Sequence, residues 1–225
     1  MSEARNAVLG EIRRSLGRPE VDREREAAAD ERIAAHPRGL IPARTDLGRE
    51  ARVRLFVTMA EQVAATVQRV DTMADVPGAV ADYLVNLNLP PRLKVAPDPL
   101  LDPIDWSARP VLEVARGGAA PDDEVGVAAA FAGVAETGTL MLASGPGAPT
   151  RLNFLPDTHV VVLRTAGIVG PYEEAWDRLR GMGGMPRTVN MITGPSRTGD
   201  IEQQIQLGAH GPRRLHIVLV DQADG

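Results

Sequence analysis

Three segments of this sequence carry side chains that could bind or transform a small molecule. The first contains Gly194, Ser196, Arg197 and Thr198. Glycine permits a close backbone approach or a positive φ, the two hydroxyls can bind an anion, and a guanidinium matches the planar shape of a carboxylate or phosphate. These residue types predict ligand binding by this loop. The alternative is an ordinary helix start that is capped by Asp200.

The second segment lies where Glu136 interrupts a run of small and apolar residues. A carboxylate in such partly desolvated surroundings suits acid–base or nucleophilic chemistry. Glu136 is therefore predicted to be catalytic, with Thr137 and Gly138 beside it as ligand-binding residues. The alternatives are that Glu136 lies at an exposed turn or pairs with an arginine such as Arg197.

The third segment is a glycine- and proline-bearing turn that contains His210. A histidine there can act as a general base or as a hydrogen-bonding group, and His210 is predicted to be catalytic. The alternative is that its ring only bonds backbone carbonyls of the turn. The other histidines, His36, His159 and His216, show none of the spacings typical of metal ligands, so no metal site is predicted.

The composition excludes several other kinds of site. The chain has 225 residues, no cysteine and a single lysine, Lys94. It therefore cannot form disulfides, a thiolate zinc site or a thiolate-held iron–sulfur cluster of its own, and it lacks a Walker-type phosphate loop. A net charge of −5 and an aromatic content of 3% argue against nucleic-acid binding.

The elements that must position the three segments alternate between strand and helix patterns. Short apolar runs predict strands, and periodic apolar residues predict helices that start near Asp46, Asp75, Pro171 and Asp200. This alternation is typical of an α/β fold, in which a parallel or mixed sheet has helices on both faces. Ligands of such sheets bind outside the carboxyl ends of the strands, so the loops that leave strands are the expected site.

The chain is predicted to divide into two regions. Residues 1–44, rich in charge and alanine, are predicted to form an N-terminal helical arm, and residues 45–225 to form the α/β domain. Val8, Ile12 and Leu16 share one face of the first predicted helix. We expect that face to pack on the chain's own core, with a neighbouring subunit as the alternative.

No segment of the sequence is suited to a membrane. The longest apolar run, Val125 to Ala135, has eleven residues, well short of the ~20 that span a bilayer. The charged N-terminus lacks the apolar core of a signal peptide. A cytoplasmic location without a membrane span is therefore expected.

Three runs of residues resemble the LUD-domain family. They are 135–140 (Ala-Glu-Thr-Gly-Thr-Leu), 194–202 (Gly-Pro-Ser-Arg-Thr-Gly-Asp-Ile-Glu) and 210–221, which begins His-Gly-Pro-Arg. Within that family the likeness is greatest to the lactate-utilisation protein C (LutC, YkgG-like) group, whose N-terminal part residues 36–44 also resemble.

The resemblance implies a three-layer α/β/α sandwich like the NagB/RpiA/CoA-transferase fold. It also implies a role in oxidising L-lactate to pyruvate together with iron–sulfur partner proteins, so the clusters are expected on the partners and no cofactor in this chain. The resemblance leaves open whether this chain is catalytic or structural.

Three functions follow from the residues and the resemblance together. The leading one is a non-redox subunit of a lactate-oxidising system, in which Arg197 clamps a small carboxylate, Ser196 and Thr198 support it, and Glu136 and His210 transfer protons. The second is a stand-alone enzyme acting on a phosphorylated or CoA-linked substrate. The third is a purely structural adaptor that docks a partner through the arm.

Overall fold

A computed structural model of the protein describes residues 3–17, 22–198 and 206–221. The chain forms two compact units, Met1–Leu40 and Ile41–Gly225. The division falls four residues before the boundary predicted from composition. The described helices are α1 (Glu3–Ser15), α2 (Arg23–Ala35), α3 (Arg49–Gln62), α4 (Val76–Asn86) and α5 (Tyr172–Arg180).

The first unit consists of α1 and α2. Asp22 caps α2 by accepting a hydrogen bond from the backbone N–H of Arg25 at 3.2 Å. Neither helix contains a buried residue. Along α1 and just beyond it, Val8, Ile12 and Leu16 are exposed.

The second unit is built around strands. They are β1 (Thr66–Val70), β2 (Arg92–Val95), β3 (Glu113–Arg116), β4 (Val125–Ala129), β5 (Ala132–Val134), β6 (Thr139–Ala143), β7 (Thr158–Arg164), β8 (Ile168–Val169), β9 (Val189–Ile192), β10 (Arg197–Thr198), β11 (Gln206–Leu207) and β12 (Arg214–Val220). The longest of them, β7 and β12, are runs rich in Val, Leu and Ile.

The main sheet has six strands in the order β1-β12-β7-β4-β2-β3. Every neighbouring pair in it is parallel. Its central strands β4 and β7 are buried along almost their whole length, as expected when both faces of a parallel sheet are covered. On one face, α4 contacts β1 and β12.

A smaller sheet with the order β8-β5-β6-β9 covers the other face. Leu140 and Leu142 of β6 share one core with Val161 and Leu163 of the main sheet. The opposite face of the small sheet packs against α5, through a cluster that includes Met141 and Leu179. Helix α5 is therefore separated from the main sheet by a second sheet, whereas α3 contacts β1 of the main sheet directly.

These observations confirm the predicted α/β class, with a mostly parallel central sheet flanked by helices. Two local predictions were wrong. Helix α3 begins after Gly48, which is its N-cap, and not at Asp46. The helix predicted from Asp200 does not extend through Gln206 and Leu207, which pair antiparallel with β10; residues 199–205 lie outside the described part of the chain.

The structure also bears on membrane association. Within residues 3–17, 22–198 and 206–221, no helix combines the length and the apolarity that crossing a bilayer requires.

Candidate functional site

A cavity of about 180 Å³ lies where the small sheet meets the main sheet. Its wall comes from the end of β9 and the loop that follows it, from the beginning of β7, and from the turn that precedes β12. The lining residues that matter below are Asn153, His159, Gly194, Ser196, His210 and Leu215. Two of the three predicted segments, around Ser196 and around His210, therefore converge on one cavity.

Ser196 and His210 are in direct contact at the rim of this cavity. The backbone N–H of His210 donates to Oγ of Ser196 at 3.3 Å. Two backbone hydrogen bonds hold the same turn: the N–H of Ser196 donates to the carbonyl of Pro212 at 2.8 Å, and the N–H of Gly208 donates to the carbonyl of Ser196 at 3.1 Å. Because Oγ of Ser196 accepts the bond from His210, its own proton remains available to a ligand.

Gly138 and Gly194 both face the carboxyl-terminal end of α3. Their φ angles are +67° and +77°. A Cβ on Gly138 would overlap the backbone of Ala60, and a Cβ on Gly194 would overlap the carbonyl oxygen of Val63. The close approach of the helix thus accounts for both glycines, and their predicted role in ligand binding stays a prediction.

Four hydroxyl groups connect the Glu136 segment to the Gly194 segment. Oγ1 of Thr139 lies 2.6 Å from Oγ1 of Thr137, 2.8 Å from Oη of Tyr172 and 2.7 Å from Oγ1 of Thr193. Thr137 and Tyr172 are themselves 2.7 Å apart. Each hydroxyl has one proton, and the four contacts use all four protons, so Thr193 donates to Thr139. We call these four residues the hydroxyl cluster.

Glu136 lies in the turn between β5 and β6 and is half-buried. Its backbone is fixed from two sides: its N–H donates to the carbonyl of Gly170 at 3.1 Å, and the guanidinium of Arg44 donates to its own carbonyl at 3.2 Å. Glu136 is not among the residues that line the cavity. The turn of Glu136 is connected to the Gly194 loop through the hydroxyl cluster and not through a common lining of the cavity.

Arg197 and Thr198 follow Ser196 directly and form β10, which pairs with β11. Arg197 is exposed and lies beside the cavity in sequence without being one of its lining residues. A long guanidinium side chain on an edge ribbon can reach over a neighbouring rim, so its predicted role as a carboxylate clamp stays a prediction.

His159 was not predicted to belong to the site, yet it lines the cavity. It is the second residue of β7 and pairs in register with Leu215 of β12, which lines the cavity too. Burial lowers the pKa of His159 to about 4, so the ring is neutral at neutral pH. The available signal was a polar residue at the start of an otherwise apolar buried run.

The cavity lies at the amino ends of the main-sheet strands. His159 is the second residue of β7 and Leu215 the second residue of β12, whereas the expected position was outside the carboxyl ends. Among the strands that border the cavity, β9 is the one that contributes its carboxyl end, and the Gly194 loop follows it directly. The small sheet places the end of β9 beside the beginnings of β7 and β12. The prediction assumed one sheet only and therefore missed this arrangement.

A parallel main sheet, a smaller sheet packed on it and a small polar cavity at their edge define an α/β domain with a candidate site for a small ligand. A family model described as the LUD domain matches residues 53–220. The chain belongs to the LUD-domain family.

A solved structure shares this fold. The crystal structure of a DUF162 family protein from Deinococcus radiodurans is similar with a TM-score of 0.61, covering 77% of this chain and 99% of that one. The two sequences are 23% identical, so this comparison bears on the fold alone.

Curated relatives match shorter stretches. The uncharacterised protein NMB1437 of Neisseria meningitidis is 38% identical over 98 residues, covering 43% of this chain and 42% of the relative. Lactate utilization protein C of Macrococcus caseolyticus is 31% identical over 101 residues, covering 43% and 44%. Lactate utilization protein C of a Geobacillus species is 33% identical over 103 residues, covering 44% and 43%. The chain therefore spans less than half of each relative's length in these matches.

Proposed function

We propose that this protein acts in lactate utilisation as a subunit that binds the small carboxylate and carries no electron-transfer cluster. The names of the similar curated proteins support the pathway. The observation that carries the binding role is the convergence of Ser196 and His210 on one small cavity. With no cysteine, the chain cannot hold a thiolate-ligated cluster, so iron–sulfur partner proteins supply the redox centres.

The division of labour follows from the chemistry of a 2-hydroxy acid. Oxidation of L-lactate to pyruvate releases two electrons and two protons, one proton from the hydroxyl group and one hydrogen from C2. In this proposal the electrons pass to the clusters of the partner proteins. Ser196 donates a hydrogen bond to the ligand, and Arg197 and Thr198 hold its carboxylate. His210 and Glu136 accept the two protons, one from the hydroxyl group and one from C2.

The binding role is tested by calorimetric titration of the full chain with L-lactate and pyruvate, alone and together with its partner proteins. Replacing Arg197 with alanine should weaken lactate binding by about tenfold or more, because a charge-assisted hydrogen bond contributes ~1.5–3 kcal/mol. Arg187→Ala is the matched control, since Arg187 is an exposed arginine on a different loop. Unchanged binding and unchanged activity of the assembled system in the Arg197 variant would remove the clamp.

The catalytic assignment is tested in the assembled system. His210→Gln and Glu136→Gln should each lower lactate-dependent reduction of an artificial electron acceptor by about 100-fold, the ordinary range for loss of a general base. Full activity without this chain would overturn the proposed function as a whole.

A role as a structural adaptor is the second candidate. It is favoured by the exposed apolar face of the first unit, where Val8, Ile12 and Leu16 have no cover within the described residues. The cavity of about 180 Å³ is smaller than the ~300–1,000 Å³ of pockets that enclose drug-sized ligands, so this cavity does not itself support a CoA-linked substrate.

A further inference from the structure

His159 has an unusual environment for a buried histidine. It is 1% exposed, and neither ring nitrogen has a hydrogen-bond partner within the described residues. Buried polar groups in native proteins are paired in the great majority of cases. Because His159 lines the cavity, the natural source of a partner is a molecule bound there.

His216 on the neighbouring strand β12 shows that burial alone does not leave a ring unpaired. Its Nδ1 lies 2.8 Å from Oγ1 of Thr66, and its ring stacks on Tyr83 with centroids 3.9 Å apart, so only Nε2 of this ring has no partner within the described residues. His216 pairs in register with Val160, one residue after His159, and so lies on the opposite face of the sheet from the cavity. The two histidines have similar burial and different partners.

The size of the cavity limits what can bind beside His159. A volume of about 180 Å³ is several times the ~30 Å³ occupied by one water molecule. It therefore suits an organic molecule of a few non-hydrogen atoms. Asn153, 6% exposed, adds an amide to the same wall, and Ser196 adds a hydroxyl proton at the rim.

We propose that His159 recognises the hydroxyl group of a small 2-hydroxy acid bound in this cavity. This inference rests on the proposed function, since it gives the same cavity its substrate class. A neutral imidazole presents one donor and one acceptor, and the tautomer decides which nitrogen is which. A hydroxyl group both donates and accepts, so it pairs with whichever ring nitrogen faces the cavity. An acid of the same size without the hydroxyl leaves that nitrogen unpaired.

The placement assigns the two ends of the ligand. The hydroxyl end lies inward, against His159 and Asn153, where the surroundings are uncharged. The carboxylate end lies at the rim, near Ser196, where the exposed Arg197 is next in sequence. His159 is thus a specificity-determining residue, and it complements the proton-transfer roles proposed for His210 and Glu136.

The test is long-range proton–nitrogen NMR of the full chain labelled with ¹⁵N-histidine. The chain has only four histidines, and His159→Gln and His216→Gln assign the two buried rings. L-lactate is titrated in parallel with propionate, which lacks the hydroxyl group. The titrations are performed on the chain alone and with its partner proteins.

The expected result is a saturable shift of the His159 ring nitrogens with lactate, with propionate needing about tenfold higher concentration, the range expected for one neutral hydrogen bond. The His216 resonances serve as the internal control and should not move. If His210 responds to lactate while His159 does not, or if propionate binds as tightly as lactate, the role of His159 is overturned and the proposed function survives. If no histidine responds to lactate under either condition, both the inference and the proposed binding role fail.

Discussion

Glycine is required at Gly138 and Gly194, and the requirement that the structure shows is close packing against α3. Both have a positive φ, and a Cβ on either would overlap backbone atoms at the end of α3. Their small size is required by helix–sheet packing, whatever binds nearby. At the residue scale, the site depends on α3 approaching the two turns more closely than any side chain permits.

Alanine at these glycines should therefore destabilise the protein strongly. We expect Gly138→Ala and Gly194→Ala each to lower the free energy of unfolding by about 3 kcal/mol or more, from a left-handed backbone and a backbone overlap together. Gly183 is the matched control, because its φ is +81° and no atom lies within 4 Å of its Cβ position. Gly183→Ala should cost only ~1–2 kcal/mol. Equal losses in denaturant unfolding would contradict the packing explanation.

The two buried histidines predict an acid-sensitive fold. Burial lowers the pKa of both His159 and His216 to about 4, whereas an unfolded chain protonates histidine near ~6.5. As the pH falls from ~6.5 to ~4, the unfolded state binds protons that the native state does not, so the free energy of unfolding falls by about 3 kcal/mol for each histidine. Their contribution is complete above that window and lost below it.

Denaturant unfolding between about pH 7 and about pH 5 measures the upper part of this loss. His216→Asn should give a shallower pH dependence than the natural protein. His36→Asn is the control, because His36 is exposed and has a φ of 46°, a conformation that asparagine tolerates. A pH dependence left unchanged by His216→Asn would contradict the linkage.

At the scale of elements, the hydroxyl cluster connects β6, α5 and the end of β9. Thr139 is fully buried and makes three of the four contacts, whereas Thr193 is exposed and makes one. The cluster connects the turn of Glu136 to the loop of Ser196. All four of its contacts are between side-chain hydroxyl groups, and none involves the backbone of either segment. The relative position of the two segments therefore depends in part on Tyr172 and Thr193, which lie outside the runs that the sequence analysis singled out.

Matched threonine-to-valine substitutions test this connection. Thr139→Val should lower the free energy of unfolding by ~1–2 kcal/mol, because Thr137, Tyr172 and Thr193 each lose a partner. Thr193→Val should cost less than ~1 kcal/mol, since an exposed hydroxyl is easily replaced by water. Thermal or denaturant unfolding measures both, and a loss for Thr139→Val no larger than that for Thr193→Val would contradict the central place of Thr139 in the cluster.

At the scale of the whole molecule, the first unit and the α/β unit differ in the burial of their side chains. The described residues of 3–17 and 22–40 include no buried side chain. The core clusters are formed entirely by residues after 41. The α/β unit therefore has its own core.

Removal of residues 1–40 should leave the free energy of unfolding of the remaining chain unchanged within ~0.5 kcal/mol. If the first unit docks the partner proteins, the same truncation abolishes co-purification with them. Val8→Ser combined with Ile12→Ser in the full chain is the finer variant and should weaken co-purification without altering stability. A truncated chain that still assembles with its partners would remove the adaptor role, and a destabilised one would contradict the independence of the core.

The sequence by itself determined the α/β class from its alternation of strand and helix patterns, and it singled out Ser196 and His210, separately, as candidate site residues. Apolar periodicity and turn-forming residues report on local structure, and these features are local. Only the tertiary structure decided that β9 ends beside the beginning of β7, that α3 accounts for Gly138 and Gly194, and that His159 lines the cavity. Those facts depend on strand order and on which face each strand turns inward, and both are set by packing between segments distant in the chain.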